Sequence, residues 1–369
     1  MLIGFVGHID LDKFFATLAL KRRPDLQGKP FGVHNPWRKT PLMAVNELAS
    51  KCGLDSAMRV KEAKEICAQC EKKAKKECPG LQLAIEDPVM QTKASICFFN
   101  LLEELNPGIK IEQYGNDEAF LDYSGIAFTQ AFLQFKKTRE IINEKMGEKW
   151  GLSASACLAP NKWLAKMGTN MAKPNGFLAI PKTDSVKIFY QWPVRKFHGI
   201  GKELSQKLNQ IDIETIGDIA ETPRGNLIAQ FGIALGNRLY DLSHGKDDSQ
   251  VIPQRPAKSF GNTIRCEFPY FEHIKGRLRL LVSKVSKRMQ EENYHGRTVE
   301  VRIRLTKVKG LRWISASRTL PNPRYFNEEE IIYPIALNLL SQIFNGHNIG
   351  RIGLKVTNLV RNWTQLRLF

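Results

Sequence analysis

Two carboxylate-bearing stretches set among apolar residues constrain this chain more than any other feature. HIDLDKFF (8–15) places Asp10 and Asp12 beside Ile9 and Leu11, with Phe5 just upstream, in the pattern of a strand that ends near Lys13. IEQYGNDEAFLDYSG (111–125) sets adjacent Asp117 and Glu118 between polar turn residues and the apolar AFLD. Acid on sheet strands is costly unless cations hold it. Octahedral Mg²⁺ takes carboxylate oxygens together with substrate phosphates, and two such ions activate an attacking hydroxyl while stabilising a leaving pyrophosphate. Either stretch taken alone also fits turn or cap aspartates.

The charge balance points to a polyanionic partner. The chain has 369 residues, room for two or more domains, and 43% hydrophobic with 25% charged residues is a globular composition. Its 55 Lys+Arg against 37 Asp+Glu give +18, which favours nucleic acid or a membrane surface. No run of about 18 uncharged apolar residues is present, and MLIGFVGHIDLDK lacks the basic start and cleavage site of a signal peptide. A cytosolic protein with reduced thiols is expected, since seven irregularly spaced cysteines make no disulfide framework.

The excess charge is local. Residues 255–369 hold 21 Lys/Arg and 8 Asp/Glu, so this third of the chain carries +13 of the +18. Within it, RTVEVRIRLTK (297–307) alternates: Val299, Val301, Ile303 and Leu305 point one way, Arg302, Arg304 and Thr306 the other. The polar face is that of any solvated strand, or, with Lys307, Lys309 and Arg312 close behind, one that tracks phosphates. Upstream, VRKFHGIGKELSQKLNQIDIETIGDIAE (194–221) has the helix-hairpin-helix pattern. Its Gly199-Ile200-Gly201 turn, with Lys202 beside it, offers backbone amides to a phosphate. A weaker copy is expected at 222–245.

Taken in order, HIDLDKFF, YGNDEAFLD, GLSASACLAPNKWLAKMGTNMAKPNG (151–176), the helix-hairpin-helix segment, KSFGNTI (258–264) and GRIGLKVT (350–357) resemble the Y-family translesion DNA polymerases over nearly the whole chain. The resemblance implies a multidomain α/β right-hand polymerase. The palm is expected at 1–13 and 82–180, fingers at 14–81, a helix-hairpin-helix thumb at 181–245, and a linker at 246–256. A little finger at 257–361, with helices near 271–293 and 328–345, and a tail at 362–369 complete the chain. It implies low-fidelity, template-directed addition of dNMP to a primer 3′-hydroxyl, using two Mg²⁺ ions. Asp10 and Asp117 would bridge the metals, Glu118 would complete the primer-end metal site, and the Leu11 carbonyl would face a metal. Phe14, Phe15 and Lys173 would bind the nucleotide: Phe15 matches the steric gate against a 2′-hydroxyl, and Lys173 the lysine that reaches the triphosphate. DNA contacts are expected from Gly199, Gly201, Lys202, Lys258, Arg302, Arg304, Arg318 and Arg351. Met43, Ala44 and Ala57 would roof the base loosely.

The chain also departs from the pattern. Glu47 and Ser50 stand where many members place a Tyr and an Arg that grip the triphosphate, leaving Lys51, or Arg38 and Lys39, to supply that charge. Gly115-Asn116 replaces the usual Ser and aliphatic. The segment 61–82 is longer than the family's and carries Cys67, Cys70 and Cys78; three thiols without a fourth ligand suit a basic helical insertion better than zinc. The terminal Gln365, Leu366, Leu368 and Phe369 resemble the bacterial sliding-clamp motif. Primed template DNA, dNTPs and the clamp are the expected partners of a monomer in the cytoplasm, at the nucleoid. A clamp-bound scaffold with weak or no catalysis, and a nucleotidyl cyclase, are the rival readings. The cyclase needs neither the thumb nor the basic C-terminal third.

Overall fold

The computed structural model describes residues 4–36, 41–74, 80–253, 256–266, 270–305, 313–344, 346 and 349–361, with backbone alone at 70–74 and 183–185. Its contacts divide the chain into two units, Met1–Gln254 and Arg255–Phe369. The larger opens with β1 (Val6–Leu11), α1 (Phe14–Arg22), β2 (Phe31–His34), β3 (Ala44–Val45), α2 (Glu47–Lys51), α3 (Val60–Ala74) and β4 (Gln82–Ile85). There follow α4 (Pro88–Leu105), β5 (Lys110–Gln113), β6 (Glu118–Asp122), α5 (Phe128–Trp150), β7 (Ala154–Ala159), α6 (Lys162–Ala172) and β8 (Phe177–Ala179). The unit closes with α7 (Lys202–Asn209), α8 (Ile216–Glu221), α9 (Arg224–Phe231) and α10 (Ile233–Ser243).

The central sheet has the order β5-β6-β1-β7-β8. Every residue of β1 is buried because both faces of the sheet are covered. The two-residue period sends Ile9 and Leu11 to one face, into a core with Phe98 and Leu102 of α4 and Phe135 and Met146 of α5. The other residues of the pleat, Val6, Phe120, Cys157 and Ala159, pack against α6 and the helical region that follows. His8, Asp10 and Glu118 are in register on this second face. The acids of the opening motif are therefore buried by the pleat, opposite the main core. Helix α6 begins where Asn161 accepts from the Leu164 amide at 2.9 Å. It ends ahead of Pro174, and Lys173 takes extended backbone.

The small sheet has the order β3-β2-β4. Gln82–Ile85, expected to open the palm, instead pairs in parallel with β2, so the expected palm boundary at 82 moves past β4. Cys67 is buried in the core of this subdomain with Leu42, Leu54 and Ala63. Cys78 lies outside the described residues, as does the Cys70 side chain. Among the described residues no cysteine belongs to a metal-binding group.

The expected linker is only partly one. The Asn161 amide donates to the Gly245 carbonyl at 2.8 Å, and the Trp163 N–H donates to Asp247 at 3.0 Å. Val251 is buried, and the Ile252 N–H donates to Glu112 at 2.8 Å. Lys162, itself buried, binds that same Glu112 oxygen at 2.6 Å and the Gln250 carbonyl at 3.3 Å. Residues 246–252 are thus a strap on the palm, because the buried Lys162–Glu112 pair needs their backbone groups to complete its hydrogen bonds.

The smaller unit comprises β9 (Phe260–Arg265), α11 (Phe271–Glu291), β10 (Tyr294–His295), β11 (Thr298–Leu305), β12 (Ile314–Thr319), α12 (Glu329–Ile343), β13 (Ile349–Thr357) and β14 (Val360–Arg361). Its main sheet is antiparallel, in the order β12-β11-β13-β9. The alternation read from 297–307 holds as far as Leu305: Val299, Val301 and Ile303 are buried in one core with Leu278, Leu281 and Val285 of α11 and Ile332 and Leu339 of α12. Thr306, Lys307, Lys309 and Arg312 lie outside the described residues.

Candidate active site and nucleic-acid surface

Antiparallel pairing sets Asp10 directly opposite Glu118. Asp117 immediately precedes β6, and its carbonyl accepts from the Leu11 amide at 2.8 Å. Three carboxylates therefore meet at the ends of two neighbouring strands, where like charges repel. Lys173 Nζ donates to Asp10 Oδ1 at 2.5 Å, and Lys166 pairs with Glu118. Two ammonium groups do not balance three acids. Burial, helped by Asp10 and Glu118, pushes the Asp117 carboxyl up to about 7. Burial also raises Asp10, against the pull of Lys173. A dense set of oxygen donors with uncompensated negative charge is the donor chemistry of a hard divalent cation, so these residues fit the metal that the fold family uses.

Two further groups surround the acids. His8 is fully buried, its ring 4.5 Å from that of Phe120 and its Nδ1 3.0 Å from Thr169 Oγ1. Burial, and then Lys166, hold His8 well below its ordinary value, so it is neutral. Asp12, which had no role in the sequence reading, accepts from Ser153 Oγ, Ser155 Oγ and the Asn175 N–H, each at 2.8 Å. Arg139 also binds Asn175. Together they fix the turn that carries Lys173. Lys162 and Lys166 are one helical turn apart, a spacing that could have flagged them.

The aromatic pair divides. Phe14 is buried in the palm core and offers no face to a nucleotide, which corrects its expected role. Phe15 is half-buried, its ring edge-on to Phe14 at 5.2 Å. Leu11 is a core side chain. In α2, Lys51 binds Glu47 at 2.9 Å on the helix surface, so the departure from the family pattern occupies the substitute cation as well. Met43 and Ala44 are half-buried and Ala57 is exposed. Arg38 and Lys39 lie outside the described residues.

The thumb's HGIG turn lies against α6. The His198 N–H points to Met167 Sδ at 3.4 Å, its carbonyl accepts from Trp163 Nε1 at 3.3 Å, and its ring is 3.3 Å from the Tyr114 hydroxyl. Where a helix was expected, the segment directly before it is a 3₁₀ turn, Val194–Lys196, following a longer 3₁₀ stretch at Thr183–Phe189. Gly199 has φ 105° and needs glycine. A Cβ at Gly199 or Gly201 would meet nothing within 4 Å, so the turn's backbone is accessible. Lys202 starts α7, whose first amides have no intrahelical acceptor. A cleft of about 650 Å³ runs from Lys173 past Arg195 and Lys196 to Gly199. The weaker copy at 222–245 is the helical hairpin α9–α10.

In the smaller unit, register brings Arg304, Arg351 and Arg265 side by side across β11, β13 and β9. All three are exposed, on the face opposite the helices. Arg265 was not singled out from the sequence because its strand carries no alternation around it. Arg302 lies on the same face, stacked 4.7 Å above Trp313, and binds Thr263 at 3.3 Å. It crosses Gly353, where a Cβ would stand 2.9 Å from Arg302 Nε. Lys258 is exposed ahead of β9. Arg318 is the exception. It is opposite Val299 and so belongs to the helix-side face of the edge strand, away from the other arginines. Guanidinium groups in direct register repel unless anions bind them. Gln365, Leu366, Leu368 and Phe369 lie outside the described residues.

A carboxylate palm, a helix-hairpin-helix thumb and a basic four-stranded sheet define a polymerase of the translesion class. Residues 9–170 match the impB/mucB/samB family, 257–368 that family's C-terminal domain, and 195–247 the thumb domain of DNA polymerase-iota. The chain belongs to this family, the Y-family DNA polymerases. A DNA polymerase IV of Methanoculleus marisnigri is 30% identical over 361 residues, covering 96% of this chain and 94% of its own. The DNA polymerase IV of Francisella tularensis subsp. novicida is 31% identical over 299 residues, 78% of each chain. The solved Y-family DNA polymerase chimera Dbh-Dpo4-Dbh has the same fold, with a TM-score of 0.74 at 22% identity, covering 97% of this chain and 100% of its own. Among the described residues no helix is long and apolar enough to cross a membrane.

Proposed function

We propose that this chain extends a primer 3′-hydroxyl on a DNA template by two-metal phosphoryl transfer, with damaged template bases among its substrates. The observation that carries the reading is the convergence of Asp10, Asp117 and Glu118, with Asp117 raised to about 7 by burial and then by the two neighbouring acids. Asp10 and Asp117 would hold both Mg²⁺ ions, and Glu118 with the Leu11 carbonyl would complete the ligand set. Divalent cations bound there supply positive charge to the attacking oxygen and to the leaving pyrophosphate. Lys173, released from Asp10, neutralises charge on the triphosphate. Phe15 packs under the sugar, while Met43, Ala44 and Ala57 leave the base loosely covered.

The DNA backbone would follow the cleft from Lys173 to Gly199, Gly201 and Lys202, and the arginine row Arg265–Arg351–Arg304 with Arg302 and Lys258 would take further phosphates. These contacts grip without reading sequence, as suits a template of any composition. Retention of all three acids and Lys173 speaks against the scaffold reading. The bacterial clamp is the proposed partner of Gln365–Phe369, on sequence grounds alone, and a monomer acting in the cytoplasm at the nucleoid is the proposed state. Primer extension with Mg²⁺ and dNTPs, on undamaged and on abasic templates, tests the reading. Extension by the wild type that vanishes in Asp117→Ala plus Glu118→Ala is expected; a double variant that still extends would overturn the site.

A further inference from the structure

The mechanism above leaves one buried nitrogen unused. Thr169 Oγ1 lies 2.9 Å from the Ala165 carbonyl and 3.1 Å from the His8 carbonyl, and its single proton goes to one of them. The hydroxyl therefore accepts from His8 at 3.0 Å, which puts the imidazole proton on Nδ1. Nε2 is left as a bare lone pair. It is fully buried, has no hydrogen-bond partner, and faces Glu118 Oε2 at 3.4 Å. One donor atom each from His8, Asp10 and Glu118 lie within 4.8 Å of one another. In the metal-free protein the positive charge these converging lone pairs call for comes from Lys166 on Glu118 and Lys173 on Asp10, which an entering ion would displace. Phe120 against the ring and Thr169 behind it hold Nε2 in that direction, as outer partners orient a ligating imidazole.

We propose that His8 Nε2 is a nitrogen ligand at the Asp10–Glu118 site for borderline divalent ions such as Mn²⁺, a donor that Mg²⁺ does not recruit. Mg²⁺ selects oxygen, whereas imidazole suits the later first-row ions. The site would accordingly hold Mn²⁺ by three protein side chains of which one is not a carboxylate, and would retain it at concentrations where the acids alone release it. This inference rests on the reading of the acids as metal ligands.

The test uses the full chain without DNA and Mn²⁺ as the probe. Electron spin-echo modulation of bound Mn²⁺ detects directly coordinated nitrogen, and incorporation of ¹⁵N-histidine identifies it without any substitution. The chain has seven histidines, so His8→Gln and His198→Gln locate the signal. A ¹⁴N modulation that converts on ¹⁵N-histidine labelling, persists in His198→Gln and disappears in His8→Gln is expected. Mn²⁺ affinity should fall at least about tenfold in His8→Gln, with Mg²⁺ affinity changed by no more than about twofold. Bound Mn²⁺ without histidine modulation overturns the inference while leaving the carboxylate site intact. Equal loss of Mn²⁺ and Mg²⁺ affinity in His8→Gln also overturns it, since the ring would then serve only packing. If Asp117→Ala plus Glu118→Ala binds Mn²⁺ as the wild type does, the carboxylate reading itself fails, and the inference with it.

Discussion

Removing one charge from the acidic cluster should stabilise the metal-free protein while it destroys activity. Folding moves the Asp117 carboxyl from 3.8 to about 7. Three pH units correspond to about 4 kcal/mol at 1.36 kcal/mol each, and partial exposure reduces this to roughly 2–4 kcal/mol. The sign follows from proton uptake. Between about pH 4 and 7 the folded state binds more protons at this site than the unfolded chain, so stability falls as pH rises through that window. Below it Asp117 is neutral in both states, and above it the deficit is constant. Asp117→Asn should therefore raise the melting temperature of the larger unit at pH 8 by roughly 5–10 °C, at about 2–4 °C per kcal/mol. At pH 5 the gain should be only a little over a third of that, because little more than one of the roughly three pH units between the unfolded and folded values has been crossed. Differential scanning calorimetry in EDTA at both pH values reads this directly. Adding Mg²⁺ should stabilise the wild type more than the variant, since only the wild type has the full donor set. A substitution that destabilises at pH 8, or acts equally at both pH values, would refute the account of Asp117 as a carboxyl held neutral by burial and by its acidic neighbours.

Further outcomes follow from the packing. Asp12→Ala strips three donors of their acceptor and should cost about 2–3 kcal/mol in urea unfolding; by loosening the turn of Lys173 it should also raise KM for dNTP. Lys162→Met leaves Glu112 buried without its cation and should cost about 3–5 kcal/mol, most of it recovered by adding Glu112→Leu. Alanine at Arg265, Arg304 or Arg351 should each lower the slope of log affinity for DNA against log salt by about 1, and Arg318→Ala should leave it unchanged. Equal effects at all four positions, measured by fluorescence anisotropy, would contradict the assignment of faces.

Much of the fold was legible because its signals are periodic. Alternation over 297–307 gave β11 and its open face, and the acids in β1 and before β6 could be located because apolar neighbours frame them. What failed to show depends on pairings between distant segments. Nothing near Gln82 marks its strand as a partner of β2 rather than of the palm sheet. Gly-Lys-Asp-Asp has the composition of a free linker, yet Lys162, 84 residues upstream of Lys246, turns the next stretch into a strap. Arg318 looked equivalent to Arg302 until register put it across from Val299. In the site, the acids were found by their chemistry, while Asp12 and His8 matter through Asn175 and Thr169, more than 160 residues away.

The central claim is that Asp10, Asp117 and Glu118 perform nucleotidyl transfer and do not merely shape a DNA-binding scaffold. Single-turnover addition of one dNTP to a primed template, with DNA affinity measured on the same samples, separates the two for wild type and Asp117→Asn. The account predicts matched affinity for DNA and a rate at least about a hundredfold lower in the variant. A wild type that binds primed DNA but adds nothing in Mg²⁺ with or without clamp, or a variant that extends at the wild-type rate, would contradict it.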